Sequence, residues 1–408
     1  MTLAIEPQIA TVGRSDRYIS FPALVTLDNG ELLLAFRSGR NCYRDFPEAL
    51  NLGYQHPHTD PRSQPWLARS ADGGRTWAIE SPPRSFELME KDHAQGIAYQ
   101  DVGFTKLPDG RVMLSVFRWK YTNEAPPADI TFGVREEILA EHGSPRGGIT
   151  YDYRRYQPFR YAYCITPVYS ICDPAGRNWT PFKPIDVVDV QTGKAWCLAT
   201  RNGGVMLDDR TVGWPFYSGF DPATPRFNGC HMLKYDLNAD QWSYGAQLAA
   251  GTEDAFMEEP LLHRHPDGRL IGFYRTTSPG YLFSNFSRDN GLTWSLARQT
   301  SVWGHPFAAL TIGKDILLAY GYRRDPMGIR MAWLKNGDPH AFDPQHEIIV
   351  RDDGRDDDIG YPALCTTKDG KIILAYYFRS IADDKPERYI AVQEIRMANS
   401  MRSEAGQG

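Results

Sequence analysis

Cysteine is scarce in this chain of 408 residues: six are scattered at positions 42, 164, 172, 197, 230 and 365, with no CxxC pair and no histidine at zinc-ligand spacing. The pattern argues against a disulfide framework and structural zinc, and reads as reduced, mostly buried thiols. Long apolar runs are missing too; no stretch approaches the ~18 residues of a membrane-spanning helix. The N-terminal "MTLAIEPQIATVGRSD" has neither the basic start nor the apolar run of a signal peptide. A cytoplasmic protein with no membrane partner is the expectation. Nor is there an excess of positive charge: the net charge is −5, which disfavours nucleic acid or an anionic lipid surface as partner. Helical periodicity is almost absent, the best stretch being "GVREEILAEHG" at 133–143. The acidic run "DDGRDDD" at 352–358 lies in a turn-rich connection and reads as a solvated loop, so neither metal nor cofactor is expected.

What the chain does have is a repeat. An apolar strand, a D-G type turn and a second apolar strand recur as "PALVTLDNGELLLAFR" (22–37), "VGFTKLPDGRVMLSVFR" (102–118) and "GGVMLDDRTVGWPF" (203–216). The pattern continues as "PLLHRHPDGRLIGFYR" (260–275), "FAALTIGKDILLAYGYR" (307–323) and "PALCTTKDGKIILAYYFR" (362–379). Asp-Gly or Asn-Gly between apolar runs is a strong hairpin signal, because both turn residues must tolerate positive φ. Each hairpin is followed by two further strands, which makes about four strands per unit, the size of a propeller blade. The last unit has only "RYIAVQEIR" (388–396) after residue 379, so the N-terminal "EPQIATV" is expected to complete it. Closing the ring in this way removes an exposed sheet edge. The reading is an all-β, six-bladed propeller of four-stranded antiparallel blades: one domain over 1–397, closed by the N-terminal strand, with 398–408 as a disordered tail.

A shorter motif sits inside this frame. "SADGGRTW" (70–77) returns as "SRDNGLTW" (287–294), and "CDPAGRNW" (172–179) is a looser copy with one extra residue. In each the Asp carboxylate can accept backbone N–H groups of its own turn while the Trp packs between strands. The motif matches the Asp-box, or BNR repeat, and the chain resembles the sialidase (neuraminidase) superfamily over nearly its whole length. The motif staples a turn and says little about chemistry.

Antiparallel order locates the working face. The D-G turns and the Asp-box turns share one face, while the long connections at 38–65 and 119–160 leave from the other. Loops of that length in a compact domain are functional or disordered. The second holds "YDYRRYQPFRYAY" (151–163), suited to a sugar-binding rim or equally to a packed cover. Five second strands end in arginine at the same face: Arg37, Arg118, Arg275, Arg323 and Arg379. Guanidinium forks suit a carboxylate ligand; the alternative is that they pair with Asp and Glu to staple blades.

The resemblance assigns roles residue by residue. It implies Tyr361 in "DIGYPALC" as nucleophile, Glu259 in "MEEPLL" (or its neighbour Glu258) as the carboxylate that activates it, and Asp60 as acid/base, with His56 and His58 beside it. It implies Arg275 and Arg323, or Arg324, as two of three arginines that grip a substrate carboxylate. The motif that supplies the third reads "SFP" here, so Ser20 stands in its place, and Arg17, Arg37 and Arg40 are the nearby arginines left to compensate. The substrate-binding set is therefore Arg275, Arg323, Arg37, His58 and Asp101. These residues point to a glycoside hydrolase acting on an acidic sugar, the partner being an anionic carbohydrate. Two other classes fit the same residues. A propeller-fold lyase would use His56 or His58 with a Tyr to abstract the proton α to a uronate carboxyl, and a carbohydrate-binding propeller would do no chemistry.

Overall fold

A computed structural model describes residues 3–13, 17–40, 60, 62–80, 82–86, 88–124, 161–185, 198–218, 229–252, 254–276, 278–383 and 387–397. The strands form six antiparallel sheets that follow one another along the chain as the blades of a propeller. The first blade runs outward through Arg17–Thr26, Leu32–Arg40, Gln64–Ser70 and Ala78–Glu80. In the sixth, Gly360–Thr366, Ile372–Phe378 and Tyr389–Met397 are joined at the outer edge by Leu3–Val12, paired from Leu3↔Met397 to Val12↔Ile390. The ring is closed by the N-terminal strand, as the repeat implied.

Period-two patterning explains why each strand is buried on both faces. Leu32, Leu34 and Phe36 pack into a cluster shared with the sixth blade, whereas Leu33 and Ala35 pack against the second. The described core divides in this way into clusters at each of the blade–blade junctions. Alternate side chains of one strand therefore serve two neighbours. Cys164, Cys172, Cys230 and Cys365 are buried within this packing.

The recurring turns are tied as their sequence requires. Asp72 accepts from the N–H groups of Arg75 (3.0 Å) and Thr76 (2.9 Å), Ser70 Oγ accepts from Gly74 N (2.8 Å), and Trp77 Nε1 donates to Gly74 O (2.9 Å). Asp289, Ser287 and Trp294 repeat the pattern, and in the looser copy Asp173 accepts from Arg177 N at 2.8 Å.

One expectation is corrected. "DDGRDDD" is not a solvated loop: Asp353 pairs with Arg351, and Asp356 and Asp358 bind the wholly buried Arg388. A short helix, Leu88–Ala94, stands between the first two blades and carries Asp92. The stretches at 133–143, 151–160 and 398–408 and the residues His56 and His58 lie outside the described residues. Among the described residues no helix is long and apolar enough to cross a membrane, and no cluster of His, Cys, Asp and Glu is placed to hold a metal ion.

Candidate active site

The site arises where inner strands break their own ladder. The pairing register slips between Ser20 and Ala23, between Glu258 and Leu261, and between Gly360 and Ala363. Each bulge holds a residue followed by proline, in "SFP", "EEP" and "GYP". Proline has no N–H to lose from the ladder and bars the residue before it from the right-handed helical region. Phe21 (φ 56°), Glu259 (φ 42°) and Tyr361 (φ 48°), each before a proline, take the left-handed conformation. Such positions cost on the order of 1–3 kcal/mol each and persist where the surroundings hold them. The bulges release these side chains from the in–out alternation of the strand. A fourth slip, between Tyr99 and Val102, frees Asp101 in the second blade.

The freed groups meet. Tyr361 donates its hydroxyl to Glu259 Oε1 at 2.6 Å, and Arg275 Nη1 lies 2.8 Å from Glu259 Oε2 and 3.2 Å from the Tyr361 oxygen. Glu258 is less closely engaged, 3.8 Å from Arg275 Nε. Tyr361 and Glu259 are each 5% exposed, so the triad is shielded from bulk water. Burial pushes the Tyr361 hydroxyl well above its ordinary range, and the Glu259 charge adds to this. Burial also weighs on Glu259, but Arg275, the Tyr361 hydrogen bond and Arg201 outweigh it and hold the carboxyl below its ordinary value. The resting pair is thus a phenol donating to a carboxylate. The Tyr361 ring is packed by Phe21 at 4.5 Å and Tyr377 at 5.7 Å between centroids.

Arginines surround the pair. Arg323 sits 5.7 Å from the Tyr361 ring centroid and donates to Ile359 O at 3.2 Å. Arg324 turns away and stacks on Trp303 at 3.8 Å. Arg37 is wholly buried opposite Ser20, with Nη1 3.5 Å from the Ser20 hydroxyl and its guanidinium 5.7 Å from the Phe21 ring. A guanidinium thus stands across the strand pair from the position where the resemblance expected one. Asp60, 2% exposed, accepts from the backbone N–H groups of Arg40 and of Arg62, the latter at 2.9 Å. A Cβ added at Gly39 would lie 3.1 Å from Asp60 Oδ2 and 3.5 Å from Arg37 Nη2, so both groups border this position.

Asp101 is the site carboxyl whose acidity burial weakens. Burial and then the Glu259 charge push it up to about 8, against the pull of Arg201, Arg37 and Arg275. The folded protein then keeps a proton that the unfolded chain releases at about pH 4. Stability owed to this carboxyl therefore falls as pH rises from about 4 to about 8 and is level beyond. Asp101→Asn should melt above the wild type at pH 8, with the gap closing toward pH 4. A gap that does not change with pH would show that the carboxyl is not held protonated.

With this geometry in place, comparison with solved structures decides the fold family. At 23% identity and a TM-score of 0.73, the chain is similar to a protein of unknown function from Dyadobacter fermentans DSM 18053, over 97% of this chain and 99% of that one. At 15% identity and a TM-score of 0.59 it is similar to the intramolecular trans-sialidase from Ruminococcus gnavus in complex with oseltamivir carboxylate, over 92% and 94% of the two chains. The fold is that of the sialidases. It also extends to the GH93 α-L-arabinofuranosidase of Fusarium graminearum in complex with arabinobiose, at 10% identity and a TM-score of 0.58 over 96% and 98%. No protein-family model and no curated protein matches the chain.

Two of the five strand-end arginines serve as staples. Arg118 pairs with Asp92 at 2.8 Å and donates to Thr166 O, and Arg379 lies 3.8 Å from Asp356. One site residue escaped sequence reading: Arg201, whose guanidinium lies 4.9 Å from the Tyr361 ring centroid. It ends no hairpin strand. Its signal is "RNGG" (201–204), a polar and glycine stretch whose two glycines open the third repeat.

Proposed function

We propose that the protein is a glycoside hydrolase acting on an acidic sugar, with Tyr361 as nucleophile and Glu259 as the base that activates it. The observation that carries this reading is the 2.6 Å hydrogen bond from the Tyr361 hydroxyl to Glu259, bridged by Arg275 inside a buried, arginine-rich site. A phenol is a poor nucleophile near its ordinary pKa of about 10, so a base in contact with it is the requirement. Tyr361 oxygen attacks the anomeric carbon as its proton passes to Glu259. The bond to the leaving oxygen breaks, and that oxygen takes a proton from a carboxylic acid. Asp60 is the acid the resemblance assigns; Asp101, kept protonated up to about pH 8, is the other. Water then releases the sugar from tyrosine, with the acid acting in reverse as base.

A tyrosine nucleophile makes sense when the substrate is an anion, because a neutral phenol approaches it with less repulsion than a carboxylate. Arg37, Arg275 and Arg323 supply the complementary charge. With Ser20 in place of an exposed arginine, one charge-assisted contact to a sialic-acid carboxylate is missing, worth about 1.5–3 kcal/mol.

The test is turnover of aryl glycosides of sialic acid, its deaminated analogue, uronic acids and arabinofuranose. Hydrolysis of an acidic member is expected, with sialosides at least roughly tenfold slower than the best substrate. An aryl group of low pKa should rescue whichever of Asp60→Asn and Asp101→Asn removes the acid. An ultraviolet-absorbing unsaturated product would mark a lyase instead, preference for the arabinofuranoside would remove the acidic substrate, and binding without turnover would leave a lectin-like propeller.

A further inference from the structure

The inner strand of the third blade is broken. Leu198–Ala199 and Val205–Met206 both pair with Thr211–Ser218, and residues 200–204 between them leave the ladder. This segment enters the axial channel and ties the ring together from inside. Gly204 N donates to Thr105 Oγ1 (2.6 Å), and Asn202 Nδ2 donates to Pro260 O (2.9 Å). Arg201 Nη1 donates to Asn202 Oδ1 (2.6 Å) and Phe307 O (3.3 Å), and Arg201 Nη2 to Pro362 O (2.8 Å). The second, fourth, fifth and sixth blades are all engaged. The entry of this segment depends on glycine: a Cβ at Gly203 would lie 1.9 Å from Phe104 O, and one at Gly103 2.4 Å from Gly203 N. Beyond Arg201 and Asn202 the channel continues as a cavity of about 190 Å³ lined by Leu24, Phe104, His263 and Leu364.

We propose that Arg201 is a positioning residue for the Tyr361–Glu259 pair: it plugs the channel beneath the phenol ring and holds a fixed positive charge against it. This rests on the hydrolase reading. Arg201 is held by the protein and not poised as a ligand fork: Nη1 gives both its N–H groups to Asn202 and Phe307, Nη2 gives one to Pro362 O, and Nε is buried. Its guanidinium faces the Tyr361 ring at 4.9 Å, and the residue is 6% exposed. A cation so placed favours the state in which the phenolic oxygen gains negative charge as it loses its proton to Glu259, and water screens it little. The carbonyls of Phe307 and Pro362 fix the guanidinium, so this charge does not have to reorganise during the reaction.

Three variants separate charge from plugging. Arg201→Gln keeps a hydrogen-bonding side chain without charge, and Arg201→Lys keeps charge without the fork. Asn202→Asp places a carboxylate on the guanidinium and masks it. A fluorinated tyrosine at 361, whose lower pKa brings ionisation into range, gives a ¹⁹F NMR readout independent of turnover. Its ionisation should move to higher pH in Arg201→Gln and in Asn202→Asp, and stay near wild type in Arg201→Lys. In turnover, kcat of Arg201→Gln should fall roughly 10- to 100-fold, with KM changed less than about threefold. If the wild type turns over no glycoside, the hydrolase reading fails while the fluorotyrosine titration still tests Arg201. Unmoved ionisation in Asn202→Asp, or in a folded Arg201→Gln, would reduce Arg201 to a structural plug and overturn the proposal.

Discussion

Tyr361→Phe should lower kcat on the best acidic glycoside by roughly a thousandfold or more, about 4 kcal/mol of barrier, while leaving the melting temperature close to that of the wild type. The substitution removes a single oxygen. The ring keeps its packing against Phe21 and Tyr377, and Glu259 keeps Arg275 at 2.8 Å, so no buried charge loses its ion pair. Glu259→Gln should cost a similar factor in kcat by a different route, since the phenol would keep its proton. The two losses should not add, because nucleophile and base act as one unit. Residual activity in Tyr361→Phe within about tenfold of wild type would remove tyrosine from the chemistry.

The largest effect on stability is expected at the seam between the first and last blades. Arg388, with none of its side chain exposed, donates from Nη2 to both carboxylate oxygens of Asp356 at 2.7 Å and from Nε to Asp358 O at 3.0 Å. Asp358 in turn accepts from Tyr18 of the first blade and from Tyr377 of the sixth, the latter at 2.8 Å. Arg388→Met would leave the buried Asp358 and the half-buried Asp356 opposite an apolar side chain. Removing one partner of a buried pair costs about 3–5 kcal/mol. With an unfolding entropy of ~2.1 cal/mol/K per residue, a chain of 408 residues should melt roughly 4–6 °C lower. Thermal unfolding of Arg388→Met measures this directly. A drop of less than about 1 °C would mean that the seam relaxes or admits water.

The fold was legible in the chain because it is written in local, repeated terms. Asp-Gly turns between apolar runs mark hairpins, alternation within a strand such as Leu32–Phe36 divides its side chains between two junctions, and a last unit one strand short calls for a partner from the other terminus. Part of the site was legible for the same reason, since Glu259, Arg275 and Tyr361 each hold a set place relative to a hairpin.

Other features depended on approach between distant segments, and no local rule carries that. An arginine at a strand end can grip a ligand or staple a helix, and only the position of Asp92 makes Arg118 a staple. An acidic run such as 352–358 resembles a wet loop until Arg388, 30 residues on from Asp358, is folded onto it. Asp101 becomes a protonated acid only because burial and the Glu259 charge meet at one point of the channel. Arg201 reaches Tyr361 because two glycines let backbones touch and a broken strand drops its loop onto the axis. Sequence alone determined which strands exist and in what order they close. Tertiary structure decided which charges face one another, because electrostatic energy depends on distance through space and on burial, and a linear chain encodes neither directly.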